Sequence, residues 1–466
     1  MTDSNRRLDR RRILQLSAAG LAGLAGCGTG SQPATDSSGS DGGSGGSGSS
    51  DGGSGGSSTE TSADGSSGSQ MASSVTAWSW DVAAKSLDLI DDPYEEANGG
   101  DVTVEQFGRS NMKDKFKSRI LSGSGAPAIA TMESVDAAAW VDTGGLRDIG
   151  PWIEDAGVKD GFVSGKWGPL TKDGATYALP WDLGPVGMFY RNDVADEHGL
   201  DLESVETWDQ FITEGEKLPD GTALMNLPPN DYDGIWRMMF RQLGGLPFTD
   251  SGAVNIHSEK SLQVARQMKR AHDAGITSSV ASWSSEWFNR FAEGSIAGLY
   301  GGAWIEGTLK AEIGDTSGKW RVMKPPAYES GGNRATNWGG SNLVIADQVS
   351  DAKARRAFDY MQYALANEEM QLKMYREYGL FPAYKPAYES DAFDQGSEFL
   401  GGQAAGRMFA EIAPNIPSYT YTTDTPEITK AINSEFKKMI SGDLSPKEAV
   451  DSAANQVAER TGRELA

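Results

Sequence analysis

The chain has one cysteine, Cys27, in 466 residues. No internal disulfide can form, and no cysteine-based metal site can be built. Histidine is nearly as scarce: His198, His257 and His272 are the three present, and none stands in an HExxH or comparable spacing. A phosphate-cradling GxxxxGK[ST] loop is missing as well. No catalytic residue, metal ligand or cofactor is therefore assigned. Basic residues are in deficit, 42 against 65 acidic, for a formal net charge of −23. The acids are scattered and no basic patch interrupts them, which argues against nucleic acid as a partner and for a soluble surface.

Long hydrophobic runs are absent too. The apolar stretch at 13–26, ILQLSAAGLAGLAG, falls short of the about 20 residues a spanning helix needs. Arg10, Arg11 and Arg12 precede it and small residues close it at Cys27, the layout of an export signal. The paired arginines resemble a twin-arginine signal. Leu24, Ala25, Gly26 and Cys27 resemble a lipobox, whose Cys is lipidated and becomes the mature N-terminus; the alternative is a plain cleaved signal with an incidental Cys. The expectation is a signal peptide over 1–27 and a lipid anchor at Cys27, holding the protein to a bilayer at the extracellular face of the membrane. Residues 28–73 are almost all Gly, Ser, Thr and Asp, too poor in apolar surface to offset chain entropy. They are expected to form a disordered tether of about 46 residues with a reach of roughly 35 to 40 Å.

Residues 74–466 exceed one ordinary core and suit two domains. VTAWSW (75–80) and DVTVEQF (101–107) predict strands, with a helix between them closed by Gly99. KDKFKSRILSGSG (113–125) predicts a helix presenting Phe116, Ile120 and Leu121 on one face, and PAIATM (127–132) a short strand. Helical periodicity returns at 261–275 and at 351–379, the second with a break near Asn367; strand-like runs return at 297–302 and 341–346. Alternation of this kind predicts βαβ units around largely parallel sheets.

Seven stretches then occur in a recognisable order: ILSGSGAPAIATMES, LRDIGPWIED, YALPWDLGPVGMFYRND, FNRFAEGSIAGLYGGAWIEGTL, NWGGSNLVIA, YREYGLFPAYKPAY and APNIPSYT, followed by a closing SGDLSPKEAVDSAANQVAER. In that order they resemble the extracellular solute-binding proteins of ABC importers, in the branch of maltose- and oligosaccharide-binding receptors. The resemblance implies a two-lobe periplasmic-binding-protein-like α/β fold. Its lobes, 74–183 plus 341–378 and 184–340 plus 379–466, would be joined by three crossings: the first at 177–193, the second near Asn337 to Asn342, the third near Tyr378 to Tyr384. It also implies a monomer that carries a sugar ligand to an ABC permease.

Sugar recognition needs flat apolar faces for C–H groups and polar side chains for hydroxyls. With 13 Trp the chain is well supplied. The resemblance places Trp304, in GGAWIEG, where relatives stack a ring on sugar, and Tyr419 on a second aromatic platform, with Tyr421 as the neighbouring alternative. Asp182 matches an acidic residue at the first crossing, where Trp181 would also face the cleft, and Glu133 lies where relatives place polar ligands. Trp80 and Asp81 end the first strand, at the cleft edge of a doubly wound lobe. Tyr232 and Trp236 are candidates by region, and Trp338, Tyr378 and Phe381 by proximity to the second and third crossings. For each, a packed aromatic or a solvated acid is the alternative role. A secreted glycoside hydrolase using two carboxylates and a surface lectin or sensory receptor without an importer stay open, as does a polyol or sugar phosphate as ligand.

Overall fold

The computed structural model describes residues 71–466. The arginine-led stretch, Cys27 and the tether up to residue 70 lie outside the described residues. Residues 71–73, assigned to the tether by composition, belong to the folded body. The amide of Ala72 donates to Ala352 O at 2.9 Å, its carbonyl accepts from Arg356 Nε at 2.7 Å, and Ser73 O takes the amide of Asp101 at 3.0 Å.

The chain opens with β1 (Ser74–Trp80), α1 (Asp81–Asn98), β2 (Asp101–Phe107), α2 (Arg109–Ser122) and β3 (Ile129–Glu133). The first crossing follows as β4 (Ala178–Pro180), β5 (Asp182–Leu183) and β6 (Val186–Arg191). Next come α3 (Tyr232–Gln242), α4 (Glu259–Asp273), α5 (Ser285–Glu293), β7 (Gly298–Gly302), α6 (Ile305–Glu312) and β8 (Trp320–Met323). After β9 (Ser341–Ile345) stand α7 (Asp351–Leu365), α8 (Glu368–Tyr378), β10 (Phe381–Pro382), α9 (Ala405–Ile412), α10 (Thr425–Ser441) and α11 (Pro446–Thr461). The break expected near Asn367 is a cap: its side-chain oxygen accepts from the amides of Glu369 at 3.0 Å and Met370 at 3.3 Å, starting α8.

Two sheets organise the body. The first has the order β2-β1-β3-β9-β4, the second β7-β6-β8. Strands β1, β2 and β3 are mutually parallel, but β9 runs against both β3 and β4, and every pairing in the second sheet is antiparallel. The expectation of largely parallel sheets is corrected to mixed ones. The reason is topological: β9 enters the first sheet from the crossing at which β1, β3 and β4 end. In the second sheet β6 leaves the crossing, and β7 and β8 return toward it.

The inner strands of both sheets are buried on both faces, whereas β2, at the edge of the first sheet, is largely exposed. In β6, Phe189 joins a core shared with Trp320 and Val322, while Val186, Met188 and Tyr190 join a second core with α3, α4, α10 and α11. In α2, Met112, Phe116 and Ile120 are buried at four-residue spacing, but Leu121 is 61% exposed. It sits five positions from Phe116 and points off the apolar stripe, which corrects its expected place on that face. No helix among the described residues is long and apolar enough to cross a membrane.

Ile120→Ala is expected to cost about 2–4 kcal/mol in urea unfolding, and Leu121→Ser to stay within about 0.5 kcal/mol. Equal losses would contradict this assignment of the helix face.

Candidate ligand-binding site

The three crossings form one hydrogen-bonded ribbon. β10 pairs with β5, setting Phe381 opposite Leu183 and Pro382 opposite Asp182, and Pro185 bridges to Asn337. The amide of Trp181 donates to Ser341 O at 3.2 Å, and the amide of Ala383 to Trp181 O at 3.0 Å. Gly184 is tied at both ends: its amide donates to Asn337 Oδ1 at 3.0 Å, and its carbonyl accepts from Trp338 N at 2.8 Å. A Cβ on Gly184 would lie 1.9 Å from Trp338 O, so only glycine lets the crossings approach this closely. Gly340, at φ +106, turns the second crossing into β9 in a backbone region that side chains avoid.

Trp181 and Asp182 serve this ribbon instead of facing a cleft. Trp181 is 1% exposed. Asp182 is buried, and its Oδ1 accepts from Ser341 N at 2.5 Å. Their expected orientation is corrected for that reason: a short carboxylate on a crossing meets an unpaired backbone amide of the neighbouring crossing before it meets solvent. Beside it sits Lys166, which no motif or spacing marks out. Its Nζ is buried and donates to Ser341 O at 3.1 Å and Ser134 Oγ at 3.3 Å. Burial pushes the Lys166 amine down to about 7, opposed by the Asp182 charge. Burial also raises the Asp182 carboxyl, opposed by Lys166 and by the Ser341 amide.

Two lips flank the ribbon. On the first sheet, Trp80 and Asp81, Arg109, and Glu133 stand where β1, β2 and β3 end, the edge at which open α/β sheets bind ligands. Glu133 is engaged: Arg109 grips it through Nε at 3.1 Å and Nη2 at 2.5 Å, and Lys113 donates to it at 3.0 Å while pairing with Asp136 at 2.7 Å. Asp81 is exposed in a left-handed backbone conformation, φ 42, whereas Trp80 is buried.

On the second sheet, Trp304 follows β7 directly. Its Nε1 donates to Trp338 O at 2.9 Å, and the two rings lie 5.1 Å apart at 48°. Trp338 is itself part of the second crossing, so this aromatic pair is mounted on the ribbon. A third ring, Trp283, stacks near-parallel on Trp304 at 6.0 Å and 15°, and tilts against Trp338 at 6.5 Å. Sequence reasoning passed over Trp283. The available signal was a Trp set between serines in ASWSS, just ahead of α5.

Several expected site residues lie elsewhere. Trp236 is fully buried, stacked on Phe240 at 4.7 Å with its indole N–H on Ser261 Oγ at 2.9 Å. Tyr232 is buried in the first turn of α3. Phe381 packs among Tyr375, Tyr388, Phe393 and Phe409. Tyr378 ends α8 half-buried; partial burial, and then the charges of Glu377 and of Asp88 in α1, raise its hydroxyl. For Trp236, Tyr232 and Phe381 the corrections have one cause: the flat apolar side chains that suit a sugar also suit a core. Tyr419 is 1% exposed, with the Arg237 and Arg241 guanidinium groups near the Tyr421 and Tyr419 rings and Tyr421 5.0 Å away, the less buried of the two tyrosines. Arg241 Nη2 reaches Gly165 O at 3.2 Å, tying α3 to the segment that carries Lys166. Among the described residues no group of His, Cys, Asp or Glu could hold a metal ion.

Two α/β lobes hung on three adjoining crossings, with aromatic rings fixed to the crossings, define a hinged two-lobe binding protein. The chain belongs to the family of bacterial extracellular solute-binding proteins, which it matches over residues 90–401. It is 26% identical over 403 residues to the lactose-binding protein of Rhizobium radiobacter, covering 83% of this chain and 93% of that protein. It is 23% identical over 397 residues to the arabinooligosaccharide-binding protein of Halalkalibacterium halodurans, with coverage of 81% and 88%. The solved structure of an ABC transporter associated binding protein from B. animalis subsp. lactis, in complex with β-1,6-galactobiose, matches with a TM-score of 0.66 at 25% identity, over 84% of this chain and 99% of that one. These relatives are binding proteins, and the family's extracellular character puts the chain outside the cytoplasm.

Lys166 makes the ribbon sensitive to pH. Its folded value of about 7 lies below the ordinary 10.5, so between those pH values the unfolded chain holds a proton that the folded chain lacks. Stability from this group therefore rises as pH rises through that window. The difference in unfolding free energy between pH 7 and pH 9 is expected to shrink in Lys166→Met relative to the parent chain; an unchanged difference would contradict the burial of a charge-averse amine there.

Proposed function

We propose that this protein captures a saccharide between its lobes and delivers it to the membrane subunits of an ABC importer. The observation that carries the reading is the Trp304–Trp338 pair built onto the hinge ribbon. Flat indole faces offer a large apolar surface to the C–H side of a pyranose, and a ligand resting on the crossings senses the relative position of both lobes. Glu133, Arg109 and Asp81 on the opposite lip supply acceptors and donors for hydroxyls. The lobes are assigned as 74–183 plus 341–378 and 184–340 plus 379–466.

Bound ligand favours the closed arrangement by its differential affinity for it, and the closed form is the one the permease accepts. The chain acts as a monomer and is not an enzyme: it binds and releases its ligand unchanged. Lactose and arabinooligosaccharides, named for the relatives, point to a di- or oligosaccharide. A twin-arginine signal over 1–27, lipidation of Cys27 and the Gly/Ser/Asp tether beyond it would hold the body at the extracellular face of the membrane, within reach of its permease.

Calorimetry of the full chain against lactose, arabinooligosaccharides, maltose and glycerol 3-phosphate tests the reading. At least one saccharide should bind and be recovered intact, and Trp304→Ala should weaken it at least about tenfold, or about 1.4 kcal/mol. Cleavage of the saccharide, or binding of glycerol 3-phosphate alone, would contradict it.

A further inference from the structure

Among the described residues three non-glycine positions have positive φ: Asp81, Asp173 and Trp283. Asp tolerates that region, whereas for a bulky aromatic it is a strained outlier. Trp283, at φ 70, is held there by its neighbours. The amide of Ser282 donates to Asn230 Oδ1 at 2.9 Å. On the other side, Ser284 Oγ donates to Ala281 O at 2.8 Å and caps α5 by accepting from Trp287 N at 3.1 Å. With both flanks fixed, the residue between them has no relaxed conformation available. A glycine would remove the strain, and it would also remove an indole that is 47% exposed. The chain instead keeps a large flat ring in an unfavourable backbone, stacked on the ring it most resembles in orientation, Trp304.

We infer that Trp283 is a ligand-contacting residue, a movable aromatic cover on Trp304 that turns aside to admit one pyranose ring and then closes on its outer face. The inference rests on the saccharide reading and extends it. At 6.0 Å between centroids the two indoles lie too close for a sugar to enter without movement of one of them. Trp304 is fixed by its hydrogen bond to Trp338 O. Trp283 makes no side-chain hydrogen bond among the described residues and is held by ring contacts, to Trp304, to Trp338, to Trp287 at 5.2 Å and to Phe288 at 6.4 Å. A ring held between two indoles must offer C–H groups on both faces, so the class of ligand is a pyranose whose hydroxyls project mainly from its rim; an axial hydroxyl aimed at an indole would be desolvated without a partner.

The test compares the full chain with Trp283→Gly and Trp283→Tyr by calorimetry with cellobiose, lactose and β-1,6-galactobiose, of which the last, whose rings both carry an axial hydroxyl, should bind the parent most weakly, alongside thermal melts without ligand. Trp283→Gly should lose at least about tenfold in affinity for whichever saccharide the parent binds, while its own melting temperature holds or rises because the strained position is relieved. Trp283→Tyr, which keeps a flat ring, should retain affinity to within about threefold. Trp283→Asn, compatible with left-handed backbone, gives the same affinity readout should the glycine variant fail to fold. Parent-like affinity in Trp283→Gly or Trp283→Asn overturns the inference and leaves the saccharide reading standing. So does a lower melting temperature with no loss of affinity, the mark of a purely structural ring. If the parent binds none of the three sugars, nor those named for its relatives, both readings fall.

Discussion

The close approach of the three crossings at Gly184 is the constraint on which the rest depends. A carbonyl of the second crossing occupies the space where any other residue's Cβ would stand, 1.9 Å away. That approach lets Asn337 and Trp338 pair with both backbone groups of Gly184, lets Asp182 accept from Ser341, and brings β10 alongside β5. Each bond is worth only about 1 kcal/mol net, but much of the ribbon is buried, and an unpaired amide there would cost more than a made bond gains. The crossings are therefore strongly specified as a set.

Mounting the aromatic pair on that set has a mechanical consequence. Trp304 reports the position of the second sheet and Trp338 that of the ribbon, and their hydrogen bond couples the two. A ligand seated on these rings changes the lobe equilibrium only to the extent that it binds one arrangement better than the other. On the proposed saccharide reading, the Arg109–Glu133–Lys113 cluster on the opposite lip is what would supply that difference. Lys166 and Asp182 lie beneath the ribbon, where the buried amine donates to Ser341 O and the buried carboxyl accepts from Ser341 N.

The class of fold was legible because periodicity and punctuation agreed: strands at 75–80 and 101–107, a glycine closing the helix between them, and the crossing motif at 177–193 all stand where they were expected. Strand direction was not legible, since β9 and the second sheet follow from which end of the hinge each strand enters, and no local pattern records that. Trp304 was singled out through its GGAWIEG motif and Trp338 through its nearness to the second crossing, and the fold brings their rings together. Trp236 and Phe381 were misassigned because a core and a sugar select the same side chains. Lys166 was invisible because its partners, Ser134, Asp182 and Ser341, meet it only in the fold. Trp283 was passed over because its significance lies in a backbone angle.

Hydrogen exchange of the ribbon amides, those of Trp181, Gly184, Trp338, Ser341 and Ala383, tests the central claim most directly when measured with and without a bound saccharide. If the crossings are a permanent hinge, these amides are among the slowest in the protein in both states, and protection changes fall instead on the lips around Trp283, Trp304 and Arg109. Ribbon amides that exchange as fast as exposed loops in the free protein would contradict the account.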